Sequence, residues 1–410
     1  MEELRENHTA LKREKLWTKK FVLLTLCNLF LFLNLQMMTP AFPAYVTDRF
    51  GASDFQTSLV ISLFAFSAVI TRIFTGKALQ TKKSLTILLL GITVVLLATA
   101  GYIWSGSLMM LFVMRVLFGA GFGMTSTTFP TLAANVIPNQ RMGEGMGYFG
   151  LSSSLAMSIA PVIGLFILGK FGFTALSVSA IVLVIAILPL LRAVQPESVS
   201  RTTAHQPQAQ ATDTNSRIPR IIWLPAFLNL LLGITYGGLI SFLALFGKEV
   251  QIENVGWFFL CNAGAMVLIR PVSGKLFDKL GHWAVLPPGA LCAVIGLLIL
   301  PHATNVQILL LAALFYGLGY GTIQPSIQAW MIKEVSPSQR GIANGLFLNS
   351  IDLGIALGAM LLGVIASATS YSAMFGWSSL CMVLFLVIYL AYQLVWRRVK
   401  QPIAGKEMNA

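Results

Sequence analysis

Apolar runs about 20 residues long, some six before Arg192 and six after Arg220, recur along the chain with only short polar segments between them. A run of that length matches a hydrocarbon core of roughly 30 Å at 1.5 Å per helical residue. Inside lipid a backbone has no water to bond, so only helices and closed barrels can cross, and the short alternating strands of a barrel are missing from this pattern. A chain that is 56% hydrophobic and 10% charged also falls far short of the roughly 25% charged residues that a soluble domain carries. The expected fold is an all-α integral membrane protein with twelve transmembrane helices.

The stretch from Arg192 to Arg220 is the least hydrophobic part of the chain, rich in Pro, Gln, Ser and Thr, a composition that stays solvated. It divides the chain into an N-terminal tail (1–20), a six-helix bundle (21–193), a linker (194–219), a second six-helix bundle (220–396) and a C-terminal tail (397–410). The net charge of +13 could point to nucleic acid, but the basic residues sit between the spans. With residues 1–20 placed inside, 22 basic residues fall on the inner side, against Arg49, Lys170 and Lys248 on the outer side. That asymmetry predicts a multi-pass protein of the cell membrane with both tails and the linker in the cytoplasm, and no nucleic-acid partner. The first apolar run is too long for a signal-peptide core and reads as a retained span.

Cys27, Cys261, Cys292 and Cys381 lie within apolar runs without metal-ligand spacing, so neither disulfides nor a structural metal is expected. His8, His205, His282 and His302 occupy tails, loops or span ends, and no nucleophile–base grouping or phosphate-cradling loop is visible. No enzyme activity and no cofactor are expected.

The two bundles repeat one another. Arg72 with Gly76-Lys77 recurs as Arg270 with Gly274-Lys275, and Gly119, Gly121 and Gly123 recur as Gly317, Gly319 and Gly321, both at an offset of 198. Pro138 and Gln140-Arg141 pair with Pro337 and Gln339-Arg340, and Gly164 with Gly363, at 199; Asn28-Leu29 pairs with Asn229-Leu230 at 201. Six spans per half give both halves one topology, related by an axis along the membrane normal.

These features resemble the major facilitator superfamily, most closely its bacterial twelve-span drug:proton antiporters and metabolite exporters, from Phe21 to Trp396. The family's loop motif after span 2 is matched after span 8 by Gly274, Asp278, Lys279 and Gly281, whereas the copy after span 2 has Gln80 in place of the acid and lacks the second glycine. The resemblance implies that the loop acid caps a helix of the opposite half. Gln80 accepts a hydrogen bond without the charge that favours a helix N-terminus. The run from Arg115 to Gly121 is similar to the family's span 4 motif, and Ala156 to Gly164, with Pro161, to the antiporter motif of span 5. The resemblance further implies a substrate pocket between the halves, lined by spans 1, 4, 7 and 10, and a mechanism for which a monomer suffices.

Those four spans carry polar and aromatic stripes, and the cavity candidates are Asn28, Phe32, Gln36, Thr125, Phe129, Asn229, Tyr236, Tyr316, Tyr320 and Gln324. Interhelical hydrogen bonding uses the same residue types. So few fixed charges favour an amphipathic substrate over a sugar phosphate or nucleotide. The conformational motif comprises Arg72, Gly76, Gln80, Gly119, Gly121, Gly123, Pro161, Gly274, Asp278 and Gly281. Two charges lie deep in spans. Arg115 sits roughly 10 Å inside span 4, where it either biases proton release or serves as a hydrogen-bonded structural arginine. Asp352 lies roughly 16 Å into span 11, near the midplane. An acid there is a candidate proton carrier; the alternative is a hydrogen-bonded Asp that joins the two halves through Asn349 or a residue of span 2. The expected function is proton-coupled export of a small amphipathic or drug-like compound. The alternatives are a proton-coupled uptake symporter for a small metabolite and a non-transporting receptor built on a carrier fold.

Overall fold

A computed structural model describes residues 15–52, 54–81, 83–193, 219–252 and 255–404. The linker from 194 to 218 and the ends of both tails lie outside the described residues. Twelve α-helices follow in order: α1 (Lys19–Met38), α2 (Ala41–Phe50), α3 (Asp54–Thr81), α4 (Ser84–Gly101), α5 (Leu108–Val136), α6 (Met142–Ala193), α7 (Trp223–Glu249), α8 (Trp257–Leu280), α9 (Leu286–Ile299), α10 (Val306–Lys333), α11 (Arg340–Ala368) and α12 (Tyr371–Ala404). The described residues contain no strand.

Eleven helical segments among the described residues are long and apolar enough to cross a bilayer. The expected count of twelve is reached only by reading α6 as two passes. Its 52 residues would extend about 78 Å at 1.5 Å per residue, more than twice the hydrocarbon core. Gly172 interrupts it with φ 81° and ψ 176°, an angle that only glycine adopts at little cost, and the chain there divides into 142–171 and 173–193. Pro161 lies within the first part without a break in helical dihedrals. The short α2 lies between α1 and α3 and ends on Gly51 at φ 61°.

Helix starts repeat between the halves as the sequence motifs do. Ser107 accepts a hydrogen bond from the Met110 amide at 3.2 Å to begin α5, and Asn305, 198 residues later, accepts from the Ile308 amide at 3.0 Å to begin α10. The three spaced glycines of each half set the packing. A Cβ on Gly123 would fall 2.8 Å from the Ala68 carbonyl oxygen of α3, and one on Gly121 2.8 Å from the Gly91 carbonyl oxygen of α4, while Gly119 faces Phe64 and Ser67 of α3. In the second half Gly317 and Gly321 face α8 and Gly319 faces α9, where a Cβ would lie 2.6 Å from the Gly289 carbonyl oxygen. The glycines thus let α5 and α10 each pack backbone to backbone on two neighbours.

The helix following the loop repeats at 198 rather than 199. Gly147 lies against the Arg270 carbonyl as Gly345 lies against the Arg72 carbonyl, both at 3.2 Å from an ideal Cβ, and Gly143 and Gly341 occupy matching contacts. The Asn28 amide donates to Ser152 Oγ at 2.8 Å, as the Asn229 amide donates to Ser350 Oγ at 2.9 Å. The extra residue is therefore confined to the preceding loop.

We call the end of the bundle that carries Ala193 and Arg220 the linker end. Trp17 lies there too, its ring 4.7 Å from that of Tyr148. The two bundles meet firmly at this end. Asp278 accepts from the Gly143 and Glu144 amides, both at 2.8 Å, and so caps α6 of the opposite half; Lys333 Nζ lies 3.0 Å from the same carboxylate. Gly281 ends α8 at φ 82°. On the pseudo-symmetric side Gly76 packs against Gly341 and Ile342, but Gln80 is exposed. There the Arg340 guanidinium makes the link, donating to the Ala134 carbonyl at 2.7 Å and to Asn135 and Asn139 side chains at 3.0 and 3.1 Å.

Candidate substrate cavity

A cavity of about 310 Å³ lies between the bundles. Its size is that of small-molecule sites, which run from roughly 300 to 1,000 Å³. α1 contributes Asn28, Phe32 and Gln36, with Thr39 just past its end; α5 contributes Phe122 and Ser126; α7 contributes Tyr236 and Ile240; α10 contributes Tyr320, Gln324 and Gln328. Aromatic contacts stiffen the wall: Phe32 meets Phe122 edge-on at 5.4 Å, and Tyr236 meets Tyr320 at 4.7 Å. Six of the ten cavity candidates, Asn28, Phe32, Gln36, Tyr236, Tyr320 and Gln324, line this space.

The other four do not. The Thr125 hydroxyl donates back within its own helix to Gly121 and Phe122 carbonyls, and its methyl faces Gly91 of α4. Phe129 is fully buried. The Asn229 Nδ2 donates to the Phe347 carbonyl and to Ser350 of α11, and the side chain is fully buried. Tyr316 shares a 2.9 Å hydrogen bond with Thr235. In each case the stripe faces a neighbouring helix, because 3.6-residue periodicity identifies a face without identifying what it meets.

The floor of the cavity is charged. Arg72 Nη1 forms an ion pair with Asp352 Oδ2, across the boundary between the halves. The Arg72 side chain is 3% exposed and that of Asp352 36%, so the carboxylate is the more open member of a pair that lines the cavity with both its residues. Arg72 is held further by Asn349 at 3.5 Å, by Ser126 through Nε at 3.4 Å, and by the face of Phe122 at 5.9 Å from its centroid. Below it Gln328 donates to Asn344 at 2.8 Å and Asn344 to Thr131 at 3.3 Å, continuing the connection towards the linker end. Asp352 of α11 thus contacts Arg72 of α3 in the other half. A floor that joins the halves through one ionisable contact can transmit a change in charge to their relative position.

Arg72 and Arg270 do not end their spans: α3 continues nine residues past Arg72 and α8 ten past Arg270, and both side chains are buried. The signal was present in the chain, since these two and Arg115 are the arginines that fall on neither side of the charge count. Beyond the four spans expected to line the cavity, α11 contributes Phe347, Ile351, Asp352 and Ile355; on one helix of 3.6 residues per turn they form a single stripe.

Arg115 lies away from the cavity. Its Nε donates to the Val60 carbonyl at 2.7 Å, and its guanidinium stands over Phe42, Phe64 and Phe118 at 4.5, 4.8 and 5.7 Å. It is completely buried. Three aromatic faces stabilise a desolvated guanidinium, which fits the structural role. In α6, Gly150, Ser153 and Met157 also line the cavity and carried no sequence signal beyond being small or apolar.

The comparisons agree with this architecture. The family model for the major facilitator superfamily matches residues 24–359 and 251–409. An uncharacterized MFS-type transporter of Escherichia coli, YhhS, is 22% identical over 394 residues, covering 93% of each chain. A second, MJ1560 of Methanocaldococcus jannaschii, is 21% identical over 363 residues, 85% of this chain and 92% of the other. Among solved structures, the human organic anion transporter MFSD10 superposes with a TM-score of 0.75 at 16% identity, over 90% of this chain and 98% of that one. A bacterial homologue of the iron transporter ferroportin, in its outward-facing state, gives 0.72 at 14% identity, over 91% and 99%.

Proposed function

The chain belongs to the major facilitator superfamily and is a secondary transporter, and on that premise we propose that it exports small amphipathic compounds in exchange for protons. Asp352 carries the proton and the cavity above it carries the substrate. The observation behind this reading is the Arg72–Asp352 pair at the cavity floor. It is an ionisable contact between the halves, open to the cavity on its acidic side.

A proton that reaches Asp352 from the cavity removes the charge that Arg72 balances. The pair then no longer holds α3 to α11, and the halves can rock so that the cavity closes at the far end and opens at the linker end. Release of the proton there restores the pair. Substrate moves in the opposite sense, from linker end to far end. The linker end is the cytoplasmic face in this scheme, supported by the 22 to 3 distribution of basic residues, and the conformation described is then outward-facing. The mostly aromatic and amide lining supports an amphipathic substrate.

The test is transport in energised inside-out vesicles across a panel of amphipathic compounds, with proton release as the readout. Asp352→Asn is expected to abolish uphill, pH-driven transport while substrate binding and downhill exchange persist. Full uphill transport by well-folded Asp352→Asn contradicts the coupling role. Joint loss of binding, exchange and fold assigns the pair to structure alone.

A further inference from the structure

Arg270 is the counterpart of Arg72, and its surroundings repeat those of Arg72 position by position at the 198 offset. Ser126 beside Arg72 becomes Gln324, whose Oε1 accepts from Arg270 Nη2 at 2.9 Å. Phe122 becomes Tyr320, and the carbonyls of both arginines lie against matching glycines, Gly345 and Gly147. Two members of the set change in kind: Asn349 is replaced by Leu151 and Asp352 by Ser154. No carboxylate faces Arg270 among the described residues. The guanidinium is wholly buried, yet its Nε and Nη1 have no hydrogen-bond partner among the described residues. A buried cation without a partner is costly to keep.

The region beside it is not filled. A side pocket of about 70 Å³ is lined by Ser153, Ser154, Asn262, Tyr236, Tyr320 and Gln324. Ser153, Tyr236, Tyr320 and Gln324 also line the main cavity. Gly150, on the main cavity wall, has Arg270 Nη1 behind it, 2.8 Å from where a Cβ would stand. The side pocket thus shares walls with the main cavity, and Gln324, which lines both, stands between them and the buried Arg270, while Ser154 lines the side pocket at the position matching Asp352.

We infer that the substrate supplies the missing acid: the transported compound is an amphipathic monoanion whose carboxylate enters the side pocket and pairs with Arg270, while its apolar body lies among Phe32, Phe122 and Tyr236. The carboxylate displaces the Gln324 carbonyl oxygen and takes the planar fork of donors that Arg270 presents. This deepens the export reading and rests on its placement of the substrate in the main cavity. One cation in that pocket selects a single negative charge and leaves a nucleotide or sugar phosphate under-neutralised.

The full-length chain, purified in detergent, is titrated with a homologous series of ω-phenylalkanoates from phenylacetate to 6-phenylhexanoate and with the corresponding neutral amides. At least one carboxylate is expected to bind about tenfold or more tightly than its amide. Arg270→Gln removes that preference, and Arg270→Lys retains part of it, because a point charge replaces the fork. Ser154→Asp tests the same site while leaving Arg270 in place: the new acid pairs with Arg270 as Asp352 does with Arg72, and the carboxylate preference disappears while the thermal midpoint rises or holds. Equal affinity for every carboxylate and its amide, or a preference that survives both Arg270→Gln and Ser154→Asp, overturns the inference. The readout is binding without a gradient. A failure of proton coupling in the Asp352→Asn vesicles leaves it standing, and its own failure leaves coupling untouched.

Discussion

The two halves of this protein share one backbone plan and differ in where they place charge. At the cavity floor, Arg72 of α3 meets an acid of the other half, whereas Arg270 of α8 meets Gln324 and no acid. At the linker end the assignment is reversed. The loop after α8 carries Asp278, which caps α6 across the boundary, while the loop after α3 carries an exposed Gln80, and Arg340 takes over the link from the other side. Both acids, Asp352 and Asp278, belong to the second half, and the first half has Ser154 and Gln80 at the matching positions. Arg340, and Lys275 at 4.0 Å from Glu144, add further charged contacts across the boundary. In the proposed mechanism Asp352 is the titratable contact at the cavity floor, and Arg270, which has no such partner among the described residues, is the arginine proposed to read a ligand.

The largest effect on this comparison should come from Arg72. Arg72→Ala leaves Asp352 without its partner and is expected to destabilise the protein by about 3–5 kcal/mol, reduced because the acid is partly exposed to the cavity. The Arg72→Ala/Asp352→Ala double variant should recover part of that loss in a denaturation series in micelles; strictly additive single effects would mean that the two side chains do not interact.

Gly121→Ala and Gly319→Ala should each cost about 1–3 kcal/mol, since a Cβ at either site meets backbone of the next helix and such overpacking has no flexible side chain to move. Near-equal losses in thermal midpoint are expected, because the packing, unlike the charge, is symmetric. A large loss in one half alone would break the comparison.

The linker-end caps should give smaller shifts. Asp278→Ala removes the acceptor of two backbone amides and is expected to cost about 1–2 kcal/mol. Gln80→Asp should do the opposite, adding about 0.5–1 kcal/mol by capping the Gly341 end of α11 and favouring its dipole. Turnover in the vesicle assay should fall in Gln80→Asp, as the closed linker end becomes harder to open. Faster turnover would show that the missing acid is not what eases release.

Much of this was legible in the chain. Span length, the polar linker and the ordered repeat required a two-bundle helical membrane protein, because hydropathy and backbone hydrogen bonding leave no other arrangement. The cap by Asp278 followed from the motif match, and its absence at Gln80 from the mismatch. Asp352 stood out because an acid near a bilayer midplane is rare. What stayed hidden was direction. Thr125 and Phe129 lie on the same helix as cavity-lining Phe122 and Ser126, and periodicity cannot say which side of α5 faces the other half. Arg72 and Arg270 lie a few residues before the loop motifs, and the helices continue past them. Gly150 and Ser154 were unreadable for a different reason: what matters at each is a side chain that is small or uncharged, and only the superposition of the halves reveals what stands in its place.

The central claim is that the charge on Asp352 holds the linker end closed. Spin labels at Gly106→Cys and Thr304→Cys, exposed positions at the far ends of α5 and α10, report the separation of the halves there by electron–electron resonance in nanodiscs. The account predicts a long distance at pH 8 that gives way to a shorter one as the pH falls and Asp352 binds its proton, with Asp352→Asn fixed in the short-distance population at both extremes. A distribution that ignores pH, or an Asp352→Asn protein that keeps the long distance at pH 8, would contradict it.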